Sequence, residues 1–394
     1  MENKYVIGFW NYNRVGYVAP ERAVSDWAEL GLNLGTSSVY SPEKPQDFEA
    51  YQKEFDEAEK RGMQLLACDT RTLWKTLARA GEAAFRKGLE DLREEYGTRK
   101  GVFAFFLGDE PQKEDFDDVI KAAQIVKEII PEKRPFLNLL PCFESVLPNV
   151  GAKSREEYGE RIEKIMRETE IPVLCYDCYT QCHEDRSQIG IDHYFENLVF
   201  YKNLAEKLGK PFWTSLLSVG HWSYRVPDED DFRWQLSTAA AFGCKGVLWY
   251  KFYTNDGRSY RGSPFYGAEA WERSETFSRL SRQNRIFQKR YGDLFASSHL
   301  KKATACKGIC ADVPAFRPDE YVASAEASAR GCEIPLLLSE FERADGRIAV
   351  VAVNCSQQRA AHVKVTLQDG YTCEFPDGVW LAPGDLVWMD LEKR

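Results

Sequence analysis

Short apolar runs alternate with longer amphipathic segments through the first two thirds of the chain. The runs lie at residues 5–12, 32–38, 63–69, 102–110, 135–140, 173–179, 212–219 and 246–253. Between them, segments such as 47–60, 82–96, 115–130, 155–167 and 194–208 carry charged faces with an apolar spacing near 3.6, the period of a helix with one buried stripe. Gly31, Gly62, Gly97, Gly209 and Gly243 stand where helix C-caps belong. Runs that are apolar throughout, joined by helical crossovers, predict parallel strands covered on both faces. Eight such units in about 250 residues predict an α/β fold, a (β/α)8 TIM barrel. A doubly wound open sheet is the competing arrangement, but no glycine-rich phosphate loop follows the first run.

A helix predicted over 269–289 completes the barrel, and the texture then changes. Period-2 strands are predicted at 300–306, 333–342, 347–355, 362–367 and 386–390, with Asp345-Gly346, Asp369-Gly370, Asp377-Gly378 and Pro383-Gly384 as turns. The expected division is a catalytic barrel over 1–296 and a small β-sandwich domain over 297–394. That second domain offers no carboxylate pair or metal spacing and is expected to be structural. Its Trp380 and Trp388 fit packing against the barrel.

Composition narrows the function classes. The chain has 394 residues, 44% of them hydrophobic, and no apolar run long enough to span a membrane. Its first residues lack a basic segment followed by an apolar one, so no secretory signal is expected. A net charge of -9 disfavours a polyanionic partner, so neither nucleic acid nor membrane is expected. The 11 cysteines are an odd number without a framework of short spacings, which points to reduced thiols in a cytoplasm. Cys175, Cys178, Cys182 and His183 have a spacing faintly like a metal site. A strand through 175–178 would point residues three apart to opposite faces, so no metal is expected there. Nothing in the sequence calls for a cofactor.

In such barrels the chemistry lies at the strand C-termini. Those ends supply Trp10, Asn11 and Tyr12; Ser37 and Ser38; Asp69; Asp109 and Glu110; Asn138; Asp177 and Tyr179; His221 and Trp222; and Tyr250, Lys251 and Tyr253. Carboxylates, amides and aromatics suit a sugar, whose hydroxyls need polar partners and whose C–H faces stack on rings. The sharpest motif is Phe105-Phe106-Leu107-Gly108-Asp109-Glu110-Pro111, an apolar strand running into two acids. Burying carboxyls there is costly, and a desolvated one keeps its proton and can serve as general acid. Glu110 is the candidate for that role, against the alternative of an arginine partner or a helix cap. Strand alternation turns Asp109 away from it, as an orienting neighbour. Asp177 interrupts the sixth run and is the second catalytic candidate, or else an acceptor for a substrate hydroxyl or a tyrosine. Expected substrate contacts are Trp10, Tyr12, Asp69, Asp109, Asn138, Tyr179, His221, Trp222, Tyr250 and Tyr253. Asp69 can equally pair locally, and His221 can be structural.

The barrel, the acid pair closing the fourth strand and the trailing β-domain together resemble the clan of (β/α)8 glycoside hydrolases with a β-galactosidase-like layout. The likeness extends to little-characterised bacterial families with a Leu-Gly-Asp-Glu-Pro motif. It runs through Asn138-Leu139-Leu140-Pro141, Tyr176-Asp177, Gly246-Val247-Leu248-Trp249-Tyr250 and Leu381-Ala382-Pro383-Gly384-Asp385. The resemblance implies a glycosidase acting on an oligosaccharide or glycoside, with Glu110 as acid/base and Asp109 in the place of the clan's usual asparagine. It also implies a glutamate nucleophile ending the seventh strand, but residues 212–221 contain no acid. Asp177 is the substitute, as nucleophile or as the base of an inverting reaction. Two other classes remain: a metal-dependent barrel enzyme of the sugar isomerase or amidohydrolase type, and a non-catalytic carbohydrate-binding barrel. Asp69, Glu110, Asp177 and His221 would be the ligands in the first of these. A homo-oligomer is compatible with all three.

Overall fold

A computed structural model of the chain describes residues 4–254, 259–266 and 272–393. The eight expected barrel strands are β1 (Val6–Phe9), β2 (Leu34–Thr36), β3 (Gln64–Ala67), β4 (Val102–Asp109), β5 (Pro135–Leu139), β6 (Leu174–Asp177), β7 (Phe212–Leu217) and β8 (Gly246–Tyr250). They form one parallel sheet in the order β1-β8-β7-β6-β5-β4-β3-β2. That is a barrel whose only gap lies between β1 and β2. Side chains bridge this seam. Asn33 accepts from the Ile7 N–H at 3.0 Å and donates to the Tyr5 carbonyl at 2.8 Å, and the Thr36 hydroxyl donates to the Phe9 carbonyl.

The crossovers are helical where the 3.6 spacing placed them, at Phe48–Lys60, Glu82–Leu92, Phe116–Ile129, Arg155–Glu168 and Gln188–Leu208, with Pro20–Glu29 and Glu229–Ala241 in addition. The last barrel helix is Glu275–Phe287, started by Ser274, whose hydroxyl accepts from the Phe277 N–H at 3.4 Å. The expected start of that helix, Glu269, lies outside the described residues. Gly209 ends its helix in the left-handed conformation, φ 61°. Gly97 does not cap: the chain widens into a π turn over Arg93–Gly97, which carries the helix past the expected stop.

Rings fill the barrel's lower half. Trp213 stacks on Phe103 at 5.6 Å and meets Phe136 at 5.8 Å. Above them Trp10 packs on Phe106 at 5.5 Å and donates its indole N–H to the Ser215 hydroxyl at 2.8 Å. The barrel is therefore a packed core below, and any ligand space must open above Trp10.

From His299 the chain forms two antiparallel four-stranded sheets. The first pairs His299–Ala305, Leu336–Glu342, Ile348–Asn354 and Leu386–Asp390. The second pairs Cys332–Glu333, Val322–Ala329, Ala361–Leu367 and Val379–Leu381. Val322, Val363 and Val365 of one sheet pack with Leu336, Val350 and Val387 of the other, which makes a sandwich. Val322–Ala329 went unread in the sequence because its small residues have weak strand preference; pairing with Ala361–Leu367 overrides that. The outer face of the first sheet, with Leu337, Phe341 and Val351, belongs to the barrel's own apolar cluster. Trp388 packs there on Phe295 at 5.2 Å, and Trp234 of the barrel donates to the Cys355 carbonyl at 2.9 Å. Trp380 does not reach the barrel. It is 65% exposed on the second sheet, beside His362. Among the described residues no helix is long and apolar enough to cross a membrane.

Candidate active site

The strand ends open into a cavity of about 520 Å³, a size common for small-molecule sites. Trp10, Tyr12, Asp109, Glu110, Asn138, Asp177, Tyr179, His221, Trp222 and Tyr250 all line it. Ten of the expected site residues are thus brought together from six strands and their loops.

The end of β4 departs from simple alternation, and that departure makes the site. Pairing with β5 slips by one residue between Phe106 and Gly108, a bulge. Gly108 has φ 143°, and Glu110 is left-handed at φ 51°, which is uncommon for a side chain other than glycine, asparagine or aspartate. Glu110 is held there by its N–H, which bonds to the Asn138 carbonyl at 3.1 Å. Consequently Asp109 and Glu110 both line the cavity. The expectation that Asp109 would face away is corrected by the bulge.

Three carboxyls meet around one amide. Asn138 Nδ2 donates to Asp109 Oδ1 at 2.9 Å and to Asp177 Oδ1 at 3.2 Å. The Tyr12 hydroxyl donates to Asp109 Oδ2 at 3.4 Å. Glu110 and Asp177 are close enough for each to shift the other's titration. Burial, followed by the neighbouring charges of Glu110 and Asp109, holds Asp177 well above the usual carboxylate range. Burial and the charge of Asp109 raise Glu110 too, but the neighbouring Asp177 works the other way. Burial also raises Asp109, against the bonds from Asn138 and Tyr12 and the charge of Lys75. Glu110 and Asp177 are thus both held above the ordinary carboxylate range, Asp177 the further because it is the more enclosed.

This has a consequence for stability. A carboxyl whose folded pKa is raised releases its proton at lower pH when unfolded. Its penalty on folding therefore grows as pH rises from about 4 toward the folded value. Asp177→Asn removes that penalty and keeps an oxygen for Asn138 to donate to. The variant should melt higher than the parent at pH 7 and show little difference at pH 4. Equal melting differences at both values would contradict a buried Asp177 held above the ordinary carboxylate range.

Aromatic side chains wall the cavity. Tyr179 stacks on Tyr250 at 5.3 Å, and Tyr12 meets Tyr250 edge-on at 6.2 Å. His221 is buried between Tyr224 at 5.1 Å and Tyr250 at 5.4 Å, and burial lowers its pKa, so it is neutral at pH 7. Its neighbour Trp222 is left-handed at φ 49° and 75% exposed at the rim. Paired backbone bonds between His221 and Tyr224, 3.1 and 2.8 Å, fix that turn.

Two expected contacts are elsewhere. Asp69 is consumed by Arg71, which reaches it with Nε at 3.0 Å and Nη2 at 2.8 Å, and by the Tyr96 hydroxyl at 2.8 Å. It borders a separate small apolar space behind Trp10 and Tyr12. Tyr253 is buried behind the barrel wall, where it accepts from Trp27 Nε1 at 3.1 Å and stacks on Phe265 at 4.8 Å. Conversely Pro141, Phe143 and Val146, from the loop after β5, and Tyr224 line the cavity unanticipated. That loop carries no periodicity from which its path could be read. All eleven cysteines are free thiols. Among the described residues no group of three or more His, Cys, Asp or Glu is placed to hold a metal ion.

No protein-family model and no curated protein matches the chain. Solved structures do match in fold. A β-galactosidase from Rahnella sp. R3 superposes with a TM-score of 0.57 at 10% identity, over 76% of this chain and 58% of its own. A β-galactosidase from Halorubrum lacusprofundi gives 0.54 at 14% identity, over 72% and 58%. A glycoside hydrolase family 5 mannosidase from Rhizomucor miehei gives 0.50 at 11% identity, over 73% and 93%. The chain spans little more than half the length of the two β-galactosidases. The fold neighbours of this barrel are glycoside hydrolases of several families, and at such identities the likeness is one of fold.

Proposed function

We propose that the chain is a glycoside hydrolase of the clan with its acid/base glutamate at the end of β4. Glu110 is the general acid/base and Asp177 the nucleophile or general base. The observation that carries this reading is the pair of neighbouring carboxyls from two strands, both raised by burial and set in an aromatic cavity. Protonating a glycosidic oxygen needs a carboxylic acid near neutral pH, and attack at the anomeric carbon needs an ionised partner. One proton shared by two groups supplies both states at once. Proton transfer from Asp177 to Glu110 would make Glu110 the acid and leave Asp177 ionised. With sugar bound, carboxyls about 5 Å apart would mean retention with Asp177 as nucleophile, and roughly 6.5–9.5 Å inversion with Asp177 as base. Asp109, Asn138, Trp10, Tyr12, Tyr179, His221, Trp222 and Tyr250 bind the sugar. Residues 1–296 form the catalytic part and 297–394 support it.

The stronger upward shift of Asp177 favours one alternative, with Asp177 as acid and Glu110 as nucleophile. Leaving-group dependence separates the two assignments. The class itself is tested by release of phenol from a panel of α- and β-aryl glycosides, before and after treatment with a chelator. Turnover unaffected by chelation is expected. Loss of turnover that added metal restores would mean a metal-dependent enzyme, and sugar binding without any turnover would mean a carbohydrate-binding barrel.

A further inference from the structure

Lys251 is the cavity's unexplained group. It follows β8 directly, is 6% exposed, and its side chain lines the cavity. Its ammonium lies 4.1 Å from the Tyr260 ring centre, 5.6 Å from that of Tyr12 and 5.9 Å from that of Tyr250. Among the described residues its ammonium makes no hydrogen bond and no ion pair. Half-buried lysines of this chain are treated differently. Lys245 donates to the carbonyls of Phe295, at 2.7 Å, and Ser298. Lys210 donates to the Ile171 carbonyl at 2.6 Å, and Lys133 to that of Val102 at 2.7 Å.

Aromatic faces attract a cation but accept none of its three N–H bonds in the way a carboxylate or carbonyl does. A buried ammonium held only by rings is costly, because it has lost its water without gaining a counter-charge. The cavity's own acids do not supply one. Asp109, Glu110 and Asp177 are engaged with Asn138, Tyr12 and each other, and the charge that acts on Asp109 is that of Lys75. Tyr12 stands between the two camps: its ring faces Lys251 and its hydroxyl faces Asp109. The cavity thus holds three carboxyls and a cation that, among the described residues, pairs with none of them.

Resting on the reading of this cavity as a sugar site, we infer that Lys251 binds an anionic substituent of the sugar, a carboxylate or a sulfate ester. Such a group would be the missing acceptor for the ammonium. A neutral sugar could offer only hydroxyls there, which leave the charge uncompensated.

Calorimetric titration tests this without needing turnover. The probes are the methyl glucosides and galactosides of both anomers, each compared with its 6-carboxylate (uronide) and its 6-sulfate. The parent should bind at least one anionic member about tenfold or more tightly than its neutral counterpart. That preference should shrink as salt is raised, since it is electrostatic. Lys251→Met should bind anionic and neutral members alike, and Lys251→Arg should restore much of the preference. Whether the uronide or the sulfate gains identifies the substituent. No anionic preference in any pair, no binding of any probe, a preference indifferent to salt, or one that survives in Lys251→Met overturns the proposal. If Lys251→Met does not fold, the parent's preference and its salt dependence still decide. Because binding is read apart from hydrolysis, failure of the glycosidase assays would sink the catalytic reading and leave this result standing.

Discussion

Glu110→Gln is expected to lower kcat on glycosides with alkyl or sugar leaving groups by roughly 10²–10⁴-fold, the usual contribution of a positioned general acid. The substitution keeps the shape of the side chain and removes its proton. An aryl group such as dinitrophenolate leaves without protonation, so on those substrates the loss should be about tenfold or less at the glycosylation step. Asp177→Asn should slow both substrate types alike, because a nucleophile or base is needed whatever departs. Azide then separates the roles further. Rescue of Asp177→Asn with formation of a glycosyl azide of inverted configuration marks Asp177 as the nucleophile. The reverse pattern, leaving-group dependence in Asp177→Asn and azide rescue with inverted configuration in a Glu110→Ala variant, would exchange the two assignments. Turnover on alkyl glycosides within a few-fold of the parent in both variants would show the pair to be structural.

The same proton predicts the pH profile. Glu110 and Asp177 are both raised by burial and by negative neighbours, so loss of the shared proton falls above the ordinary carboxylate range. Activity should decline on the alkaline side through that loss, and on the acid side when both groups are protonated.

Much of this arrangement was legible in the chain. Runs such as 102–110 and 246–253 are apolar throughout because their strands are covered on both faces, so the barrel and its strand ends followed from pattern alone. Glu110, Asp177, Asn138, His221 and Tyr250 could be placed at the cavity for that reason. Three-dimensional contacts explain the rest. Asp69 ends a strand as the others do, but Arg71, two residues on, turns back and takes both its oxygens. Tyr253 lies three residues past the end of β8, where the chain has already turned behind the wall. Lys251 was visible at a strand end, yet its isolation among rings depends on Tyr12 and Tyr260, which only folding brings near. The facing of Asp109 was misjudged because alternation assumes a regular strand, and a bulge is invisible to a count of twos.

That bulge is the basis of the second large effect. Gly108 takes φ 143°, a conformation L side chains rarely adopt, and a Cβ built there would lie 1.9 Å from Cζ3 of Trp74. Trp74 is 1% exposed and packed in the barrel's apolar cluster, so it has nowhere to withdraw. Gly108→Ala must therefore either displace that ring or straighten the strand. Overpacking and backbone strain together should cost roughly 2–6 kcal/mol, about 1–3 from each. Straightening β4 would also return Asp109 and Glu110 to opposite sides and part Glu110 from Asp177. Gly108→Ala should thus combine a lower melting temperature with a loss of turnover comparable to Glu110→Gln, and the loss should extend to activated aryl glycosides. A Trp74→Ala change in the same chain opens space for the new methyl and should recover part of the activity, although alone it is destabilising. If Gly108→Ala melts with the parent and keeps its activity, β4 tolerates a regular ending. The left-handed Glu110 would then not be what aims the carboxyl pair.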